Sequence, residues 1–297
     1  MSERITINAI SNTVLADNQR TIARLSTYQE QLSSGKRINQ VSDDPGAARS
    51  ALRYRAESMQ TSKYLDNITK GESFINASDS AMEQMSQVLD QAKSLAVQGA
   101  NGTQDAASRK ALGQSVDSLL TRMVDLANTV HDGRYIFAGT ATFTQPFARS
   151  TDDQSVVYQG NLDTFEVQIG QGSRVPVNQD GNTLFKDQND VFKSLIDLRD
   201  ALNADDPSSV TGLIQDIDDA HTHLNDLHGA LGGTEQRLTL GRTQLEAAKV
   251  NLDSLVSSAE DVDFADTISK MQLAQVALEA GLQAGAKVLK PSLLDYL

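Results

Sequence analysis

The chain has 297 residues, of which 39% are hydrophobic and 5% aromatic, and it contains neither cysteine nor tryptophan. Its 26 basic and 39 acidic residues give a net charge of −13, which argues against nucleic-acid binding because phosphate neutralisation needs clustered Lys and Arg. The lack of cysteine excludes disulfides, cysteine-based zinc sites and thiol nucleophiles, and the aliphatic composition favours helix-on-helix seams over an aromatic-lined pocket.

The N-terminal segment is predicted to form an amphipathic helix. Its apolar residues are spaced by seven, three and seven positions, which places them on one helix face: Leu15, Ile22, Leu25 and Leu32. Gly35 interrupts the pattern. Asp44 followed by Pro45 combines an N-cap with a favoured first helical residue, so a second helix is predicted from there to about residue 99.

The next segments continue the helical pattern and then leave it. A third helix is predicted from the three–four spacing between Val116 and Val130, with Asp132–Gly133 as its stop. Residues 141–186 are rich in Gly, Thr, Asn and Gln and are predicted to be a small β-rich insertion. Within it, Val156–Tyr158 and Phe165–Ile169 are predicted to pair as a hairpin.

Helices are predicted to resume near Asp190 and to reach the C-terminal region. Apolar residues alternate at three and four positions from Val210 to Leu231, and Gly232–Gly233 is predicted to break this helix before another begins. A final amphipathic helix after residue 263 carries one apolar stripe: Ile268, Met271, Leu278, Leu282 and Leu289.

This order predicts a mainly α fold with a small β-rich insertion. The expected architecture is an elongated, nested helical bundle or coiled coil in which the N- and C-termini lie at the same end. Three domains are predicted: a terminal coiled-coil assembly domain (1–42 plus 264–297), a helical rod domain (43–140 plus 187–263) and a β-rich outer domain (141–186).

No constellation of residues indicates catalysis, a metal site or a bound cofactor. His221 and His228 lie two helical turns apart, about 10 Å, which is too far for one metal ion. An enzyme site in the insertion would have to rely on Asp152, Asp153 and nearby carboxylates, and it is the weakest hypothesis. The first residues lack the apolar core of a cleaved signal peptide, and no apolar run is long enough to span a membrane.

The two terminal segments, 5–34 and 264–290, are the candidate interaction surfaces. They are amphipathic, lie beyond the capped helices and are too weakly stabilised to persist alone. We therefore predict that they become ordered by association with other subunits. The predicted interface is the pair of stripes already described: Leu15, Ile22, Leu25, Leu32, Ile268, Met271, Leu278, Leu282 and Leu289.

Several strings resemble the flagellin superfamily. Residues 32–39 (LSSGKRIN) and Ser42–Pro45 (SDDP) are similar to the N-terminal signature of that family, and Leu95–Gln98 (LAVQ) resembles its helix-to-loop region. Residues 132–140 (DGRYIFAGT) resemble those members that form the junction between the flagellar hook and its filament, and the last eight residues (KPSLLDYL) differ from the Leu-Leu-Arg-like end common in flagellins.

The resemblance implies a structural subunit that leaves the cell unfolded through the flagellar type III export apparatus. Its implied partners are copies of itself, hook-associated protein 1, flagellin and a cytoplasmic export chaperone, and its implied location is the extracellular flagellum. Filament flagellin is the nearest alternative. An intracellular coiled-coil scaffold is a further alternative, but it leaves the insertion unexplained.

Overall fold

The computed structural model describes residues 2–186 and 189–288, and helices dominate this part of the chain. The helices are α1 (Ser2–Ser34), α2 (Pro45–Ala100), α3 (Ala106–Ala127), α4 (Gly181–Phe185), α5 (Val191–Asn203), α6 (Pro207–Glu260) and α7 (Phe264–Val288). Short strands lie between α3 and α4: β1 (Val130–His131), β2 (Arg134–Tyr135), β3 (Phe147–Arg149), β4 (Val156–Tyr158), β5 (Glu166–Gly170) and β6 (Ser173–Pro176). The predicted mainly α fold with a small β-rich insertion is confirmed.

The chain divides into two compact units. The first, here called the terminal unit, comprises residues 1–60 and 248–297, and the second, the middle unit, comprises residues 61–247. Helices α2 and α6 contribute residues to both units. The finer division into three domains, with an outer domain at 141–186, stays a prediction.

Helices α1 and α7 run antiparallel within the terminal unit. A Cβ atom built on Gly281 would lie 2.2 Å from Oδ1 of Asn18, and one on Gly285 would lie 3.2 Å from Val14. At the other end of the pair, a Cβ on Gly35 would lie 3.9 Å from the ring of Phe264. The beginning of α1 and the end of α7 therefore lie together, as predicted.

The predicted start of α2 is confirmed in atomic detail. The Asp44 carboxylate accepts hydrogen bonds from the backbone N–H groups of Gly46 (3.1 Å) and Ala47 (3.0 Å). The Ala47 N–H, more than any other group, lowers the pKa of Asp44. Pro45 is the first helical residue, and α2 ends one residue beyond the predicted end.

The predicted third helix was too long. Helix α3 ends at Ala127, and Val130 lies in β1, where it pairs with Tyr135 of β2. Asp132 and Gly133 form the tight turn between these strands, with φ angles of 48° and 72°. Two consecutive residues with positive φ suit a two-residue hairpin, so this pair turns a strand instead of stopping a helix.

The predicted hairpin joined the wrong strands. β4 pairs antiparallel with β3, which the sequence did not indicate, and β5 pairs antiparallel with β6 across the turn at residues 171–172. Alternation along a strand shows which face is buried but does not identify the neighbour, which explains the error.

The predicted break at Gly232–Gly233 was also wrong, because α6 continues without interruption from Pro207 to Glu260. A helical glycine weakens a helix by only about 1 kcal/mol relative to alanine. The apolar residues on both sides of the glycines, including Leu231 and Leu238, are buried in the middle unit. That packing outweighs the weak local preference.

The middle unit contains a large apolar core, and phenylalanine rings form part of it. The ring centroid of Phe147 lies 5.0 Å from that of Phe185 and 5.2 Å from that of Phe192, and Phe137 packs edge-on against Phe185 at 5.8 Å. All four side chains are buried. The few aromatic residues are thus concentrated where the strands meet α4 and α5.

Candidate assembly interface

Helices α1 and α7 face each other along a narrow stripe. Most half-buried residues described on α1 recur at every third or fourth position: Ser11, Val14, Asn18, Thr21, Leu25, Tyr28 and Leu32. The least exposed residues of α7 follow the same rule: Thr267, Met271, Ala274, Leu278, Gly281 and Gly285. This is the spacing of a seam between two packed helices. The seam contains many small residues, which allow the two helices to approach closely.

The predicted interface residues lie on two different faces. Four of them belong to the seam between α1 and α7 and are half-buried within the subunit: Leu25, Leu32, Met271 and Leu278. Four others flank this seam and are exposed: Leu15 (57%), Ile22 (52%), Ile268 (41%) and Leu282 (56%). Leu289 lies outside the described residues. The first group is thus in contact within the chain, and the second is available to another chain.

Sequence reasoning missed an additional apolar surface on α7. Leu273 is 70% exposed and Val276 is 64% exposed, and both lie on the side of α7 opposite the seam. Charged residues are few along this helix, which is apolar on most sides. A helix that is hydrophobic all round is normally buried, so this composition was the available signal.

A cleft of about 370 Å³ opens between α1 and α7. Val14, Leu15, Leu282 and Gly285 are among the residues that line it, so its walls are mostly apolar. The cleft exists because Gly285 and its neighbours lack the side-chain volume to fill it. It continues the exposed apolar surface of the two helices.

The terminal unit has almost no buried core of its own. Among the described side chains, its buried hydrophobic residues are Ile38, Ala48, Ala51 and Val262, whereas the middle unit contains all the others. The exposed large hydrophobics show the opposite distribution, since twelve of nineteen belong to the terminal unit. Apolar surface left in water at this density is typical of an interface.

Side chains from three segments converge where α6 meets α7, at a feature here called the loop clasp (Gly35–Ile38, Arg55 and Glu260–Val262). The Glu260 side chain is 9% exposed and accepts hydrogen bonds from Lys36 Nζ (3.3 Å) and from the Arg55 guanidinium. The backbone N–H of Arg37 donates to the Glu260 carbonyl (2.6 Å), and that of Val262 donates to the Gly35 carbonyl (3.0 Å). Sequence reasoning missed this contact because Lys36 and Glu260 are 224 positions apart.

The net charge is confined almost entirely to the middle unit. The terminal unit has 12 basic and 13 acidic residues, a net charge of −1, and the middle unit has 14 basic and 26 acidic residues, a net charge of −12. The nearly neutral unit is therefore the one that exposes apolar surface. Such a surface can approach a copy of itself without strong repulsion.

The histidines are engaged in ordinary contacts. His221 Nε2 lies 2.7 Å from Ser86 Oγ, His223 Nε2 lies 2.9 Å from the Thr183 carbonyl, and His228 Nε2 lies 2.6 Å from Asp79. Within the described residues, no group of three or more His, Asp or Glu side chains is placed to hold a metal ion. No helix in that same part of the chain is both long and apolar enough to span a membrane.

Family models match both ends of the chain. The bacterial flagellin N-terminal helical region matches residues 5–142, and the bacterial flagellin C-terminal helical region matches residues 214–297. Together they cover well over half of the sequence, including both helices of the seam. The chain therefore belongs to the bacterial flagellin family.

Individual relatives come from the hook-associated and the filament branches of this family. The chain is 26% identical over 282 residues to flagellar hook-associated protein 3 of Escherichia coli (strain K12), covering 86% of this chain and 88% of that protein. It is 25% identical over 257 residues to the flagellar filament 33 kDa core protein of Treponema phagedenis, covering 85% and 84%.

A solved structure shares the fold. A flagellar hook-associated protein from Vibrio parahaemolyticus aligns with a TM-score of 0.69 and 20% sequence identity, covering 74% of this chain and 100% of that structure. The shared fold agrees with the assignment to the family.

Proposed function

We propose that this protein is a non-enzymatic structural adaptor that joins the flagellar hook to the filament by assembly of its terminal helices. The observation that carries the proposal is the burial of the side chains described in the terminal unit, of which four hydrophobic ones are buried and twelve large hydrophobic ones are exposed. Burial of apolar surface contributes about 25 cal/mol per Å², so contact with neighbours would supply the core that this unit lacks.

The proposed interface has an inner and an outer part. The seam formed by Leu25, Leu32, Met271 and Leu278 pairs α1 with α7 within one subunit. The exposed positions Leu15, Ile22, Ile268 and Leu282, together with Leu273 and Val276, contact neighbouring subunits. Leu289 is proposed to extend the same stripe beyond the described residues.

The proposed partners follow from this placement and from the relatives. Copies of the chain form one set of contacts, hook-associated protein 1 lies on the hook side and flagellin on the filament side. A cytoplasmic export chaperone covers the C-terminal stripe before export, and the mature subunit is extracellular. The relatedness to hook-associated protein 3 supports this arrangement.

Filament flagellin is the second candidate, and it is favoured by the similarity to a flagellar filament core protein at nearly the same identity. The two candidates differ in what they need for assembly. A filament subunit extends a polymer of itself, whereas a junction subunit forms a short zone on a hook-side partner.

The test is to incubate the purified chain alone and with purified hook-associated protein 1, and to examine both samples by sedimentation and electron microscopy. An adaptor remains monomeric alone and forms short, defined complexes with the partner. Long filaments from the chain alone would identify it as a filament subunit. A discrete dimer of the chain alone, unchanged by hook-associated protein 1, would instead support a coiled-coil scaffold.

A further inference from the structure

The few buried hydrophobic residues of the terminal unit belong to the segments that form the loop clasp. Ile38 lies in the loop between α1 and α2, Ala48 and Ala51 lie in the first two turns of α2, and Val262 joins α6 to α7. Beyond these segments, the large hydrophobic side chains described on α1 and α7 are half-buried or exposed. Among the side chains described in this unit, the well-packed ones therefore lie at the base of its two terminal helices.

We propose that the loop clasp is a pre-formed anchor that holds α1 and α7 in register before the subunit meets its neighbours, and that Glu260 is the residue that positions it. This inference rests on the proposed function, since register matters most if the paired helices are the assembly surface. The clasp itself can be measured in the free subunit.

The contacts of Glu260 explain why this residue is the centre of the anchor. Its carboxylate is nearly buried and is matched by two cations, one on the loop (Lys36) and one on α2 (Arg55). The Lys36 and Arg55 side chains are themselves 41% and 40% exposed, so Glu260 is the buried member of both pairs and the one acceptor that they share. Replacing its carboxylate removes the contact that ties the loop to α2. The Arg37 guanidinium adds a hydrogen bond to the Ala259 carbonyl at 2.7 Å.

The backbone contacts fix the register. Lys36 and Asp261 form an isolated antiparallel bridge, so the second residue after α1 and the first residue after α6 have a defined alignment. Gly35 reaches this bridge with a φ of +71°, a conformation that favours glycine. Because α1 ends and α7 begins within three residues of the bridge, its alignment is transmitted directly to both helices.

An anchor at the base of α1 and α7 lowers the conformational entropy that these helices lose when subunits assemble. Helices with little buried surface are marginally stable alone. If the bases of α1 and α7 are already aligned in the free subunit, contact with a neighbour only has to stabilise two helices whose register is already fixed. Pre-organisation of this kind strengthens binding by lowering the entropy that is lost on association.

The experiment compares Glu260→Gln with the control Glu57→Gln, which removes a carboxylate that is 55% exposed and 4.0 Å from Arg53. Because the chain has no cysteine, Leu15→Cys and Leu282→Cys can be introduced as a pair that lines one cleft. The rate of disulfide formation between them then reports the α1–α7 register in the free subunit. Hydrogen exchange at the amides of Arg37 and Val262 reports the clasp.

We expect Glu260→Gln to slow disulfide formation at least tenfold and to speed exchange at both amides at least tenfold, with exchange in the middle unit unchanged. Glu57→Gln should change neither rate. Unchanged disulfide formation in Glu260→Gln would overturn the anchor, whatever happens to exchange. Failure of the unaltered chain to bind hook-associated protein 1 would count against the proposed function alone, since both rates are measured without a partner.

Discussion

Two glycines in the middle unit adopt the same left-handed conformation in different surroundings. Gly133 has a φ of +72° with open space around it, and Gly139 has a φ of +66° with the Asn161 carbonyl oxygen 2.2 Å from a built Cβ. Substituting Gly133 with alanine therefore introduces backbone strain alone, whereas the same change at Gly139 also introduces a clash with backbone. Both belong to the string that resembles the hook–filament junction proteins, and only one is tightly constrained.

We predict that Gly133→Ala lowers the free energy of unfolding by about 1 kcal/mol and that Gly139→Ala lowers it by about 3 kcal/mol. Urea denaturation of the two variants and the unaltered protein measures both values. Equal losses would show that the contact between Gly139 and Asn161 does not constrain the fold.

Asp153 links a strand hairpin to two helices of the middle unit. Its carboxylate accepts hydrogen bonds from Arg149 Nε (2.6 Å) and Arg199 (2.7 Å), and the Arg149 guanidinium also contacts Asp117 of α3 (2.7 Å). The hydrogen bond from Arg149 is the main cause of the lowered pKa of Asp153. The contribution of this carboxylate to stability is therefore present above its ordinary pKa of 3.8 and is lost as the pH falls through the lower pKa of the folded state.

We predict that Asp153→Asn destabilises the protein most at pH 7 and that the difference from the unaltered protein shrinks below about pH 4. Asparagine tolerates the left-handed backbone of this position, where φ is +59°, so the change isolates the charge. Urea midpoints between pH 2.5 and pH 7 measure the effect. A difference that does not vary with pH would contradict the ionic role.

At the scale of the elements, the sequence predicted what is local and failed where partners are distant. Features that depend on neighbours within a few positions were predicted. They are the cap at Asp44, the amphipathic character of α1 and α7, and the start of α7. The β3–β4 pair and the loop clasp depend on contacts that composition and spacing do not specify. The assembly interface stays a prediction, because periodicity does not separate a seam within one chain from a surface that faces another chain.

The continuity of α6 gives a direct test at this scale. Apart from the adjacent backbone of the helix itself, no heavy atom of the described residues lies within 4 Å of a Cβ built on Gly232 or Gly233, and neither has a positive φ. We predict that Gly232→Ala raises stability by roughly 1 kcal/mol, because alanine stabilises a helix interior relative to glycine. Thermal unfolding of the variant measures this gain.

The matched control is Gly99→Ala in α2, where the new Cβ would lie 2.2 Å from Leu202. This variant should show no such gain, since Leu202 must move to make room. A loss of stability in Gly232→Ala would mean that the glycines interrupt the helix after all.

The whole molecule separates apolar surface from charge. The terminal unit is nearly neutral and exposes hydrophobic residues, while the middle unit has a net charge of −12 and a large core. In an assembly of identical subunits the acidic units repel one another, and the apolar contacts between terminal units must exceed that repulsion. The net affinity between subunits therefore depends on salt, since dissolved ions screen the repulsion between exposed charges and leave the apolar attraction in place.

We predict that association strengthens several-fold as NaCl rises from 10 to 150 mM, because the screening length falls from about 30 Å to about 8 Å. The variant Asp66→Asn, Asp125→Asn removes two exposed charges from the middle unit and should show a weaker salt dependence. Analytical ultracentrifugation of each protein in the presence of hook-associated protein 1 measures the assembly. Weakening with added salt would indicate that attraction between opposite charges dominates assembly.

The central claim is that the exposed apolar residues of the terminal unit drive assembly, and the most direct measurement is co-sedimentation with hook-associated protein 1. The variant Leu273→Ser, Val276→Ser is compared with Leu162→Ser, Leu240→Ser, in which two residues of the middle unit, each 64% exposed, are changed in the same way. We predict that the first variant keeps the melting temperature of the unaltered protein and loses co-sedimentation, while the second retains both. Equal co-sedimentation of the two variants would contradict the claim.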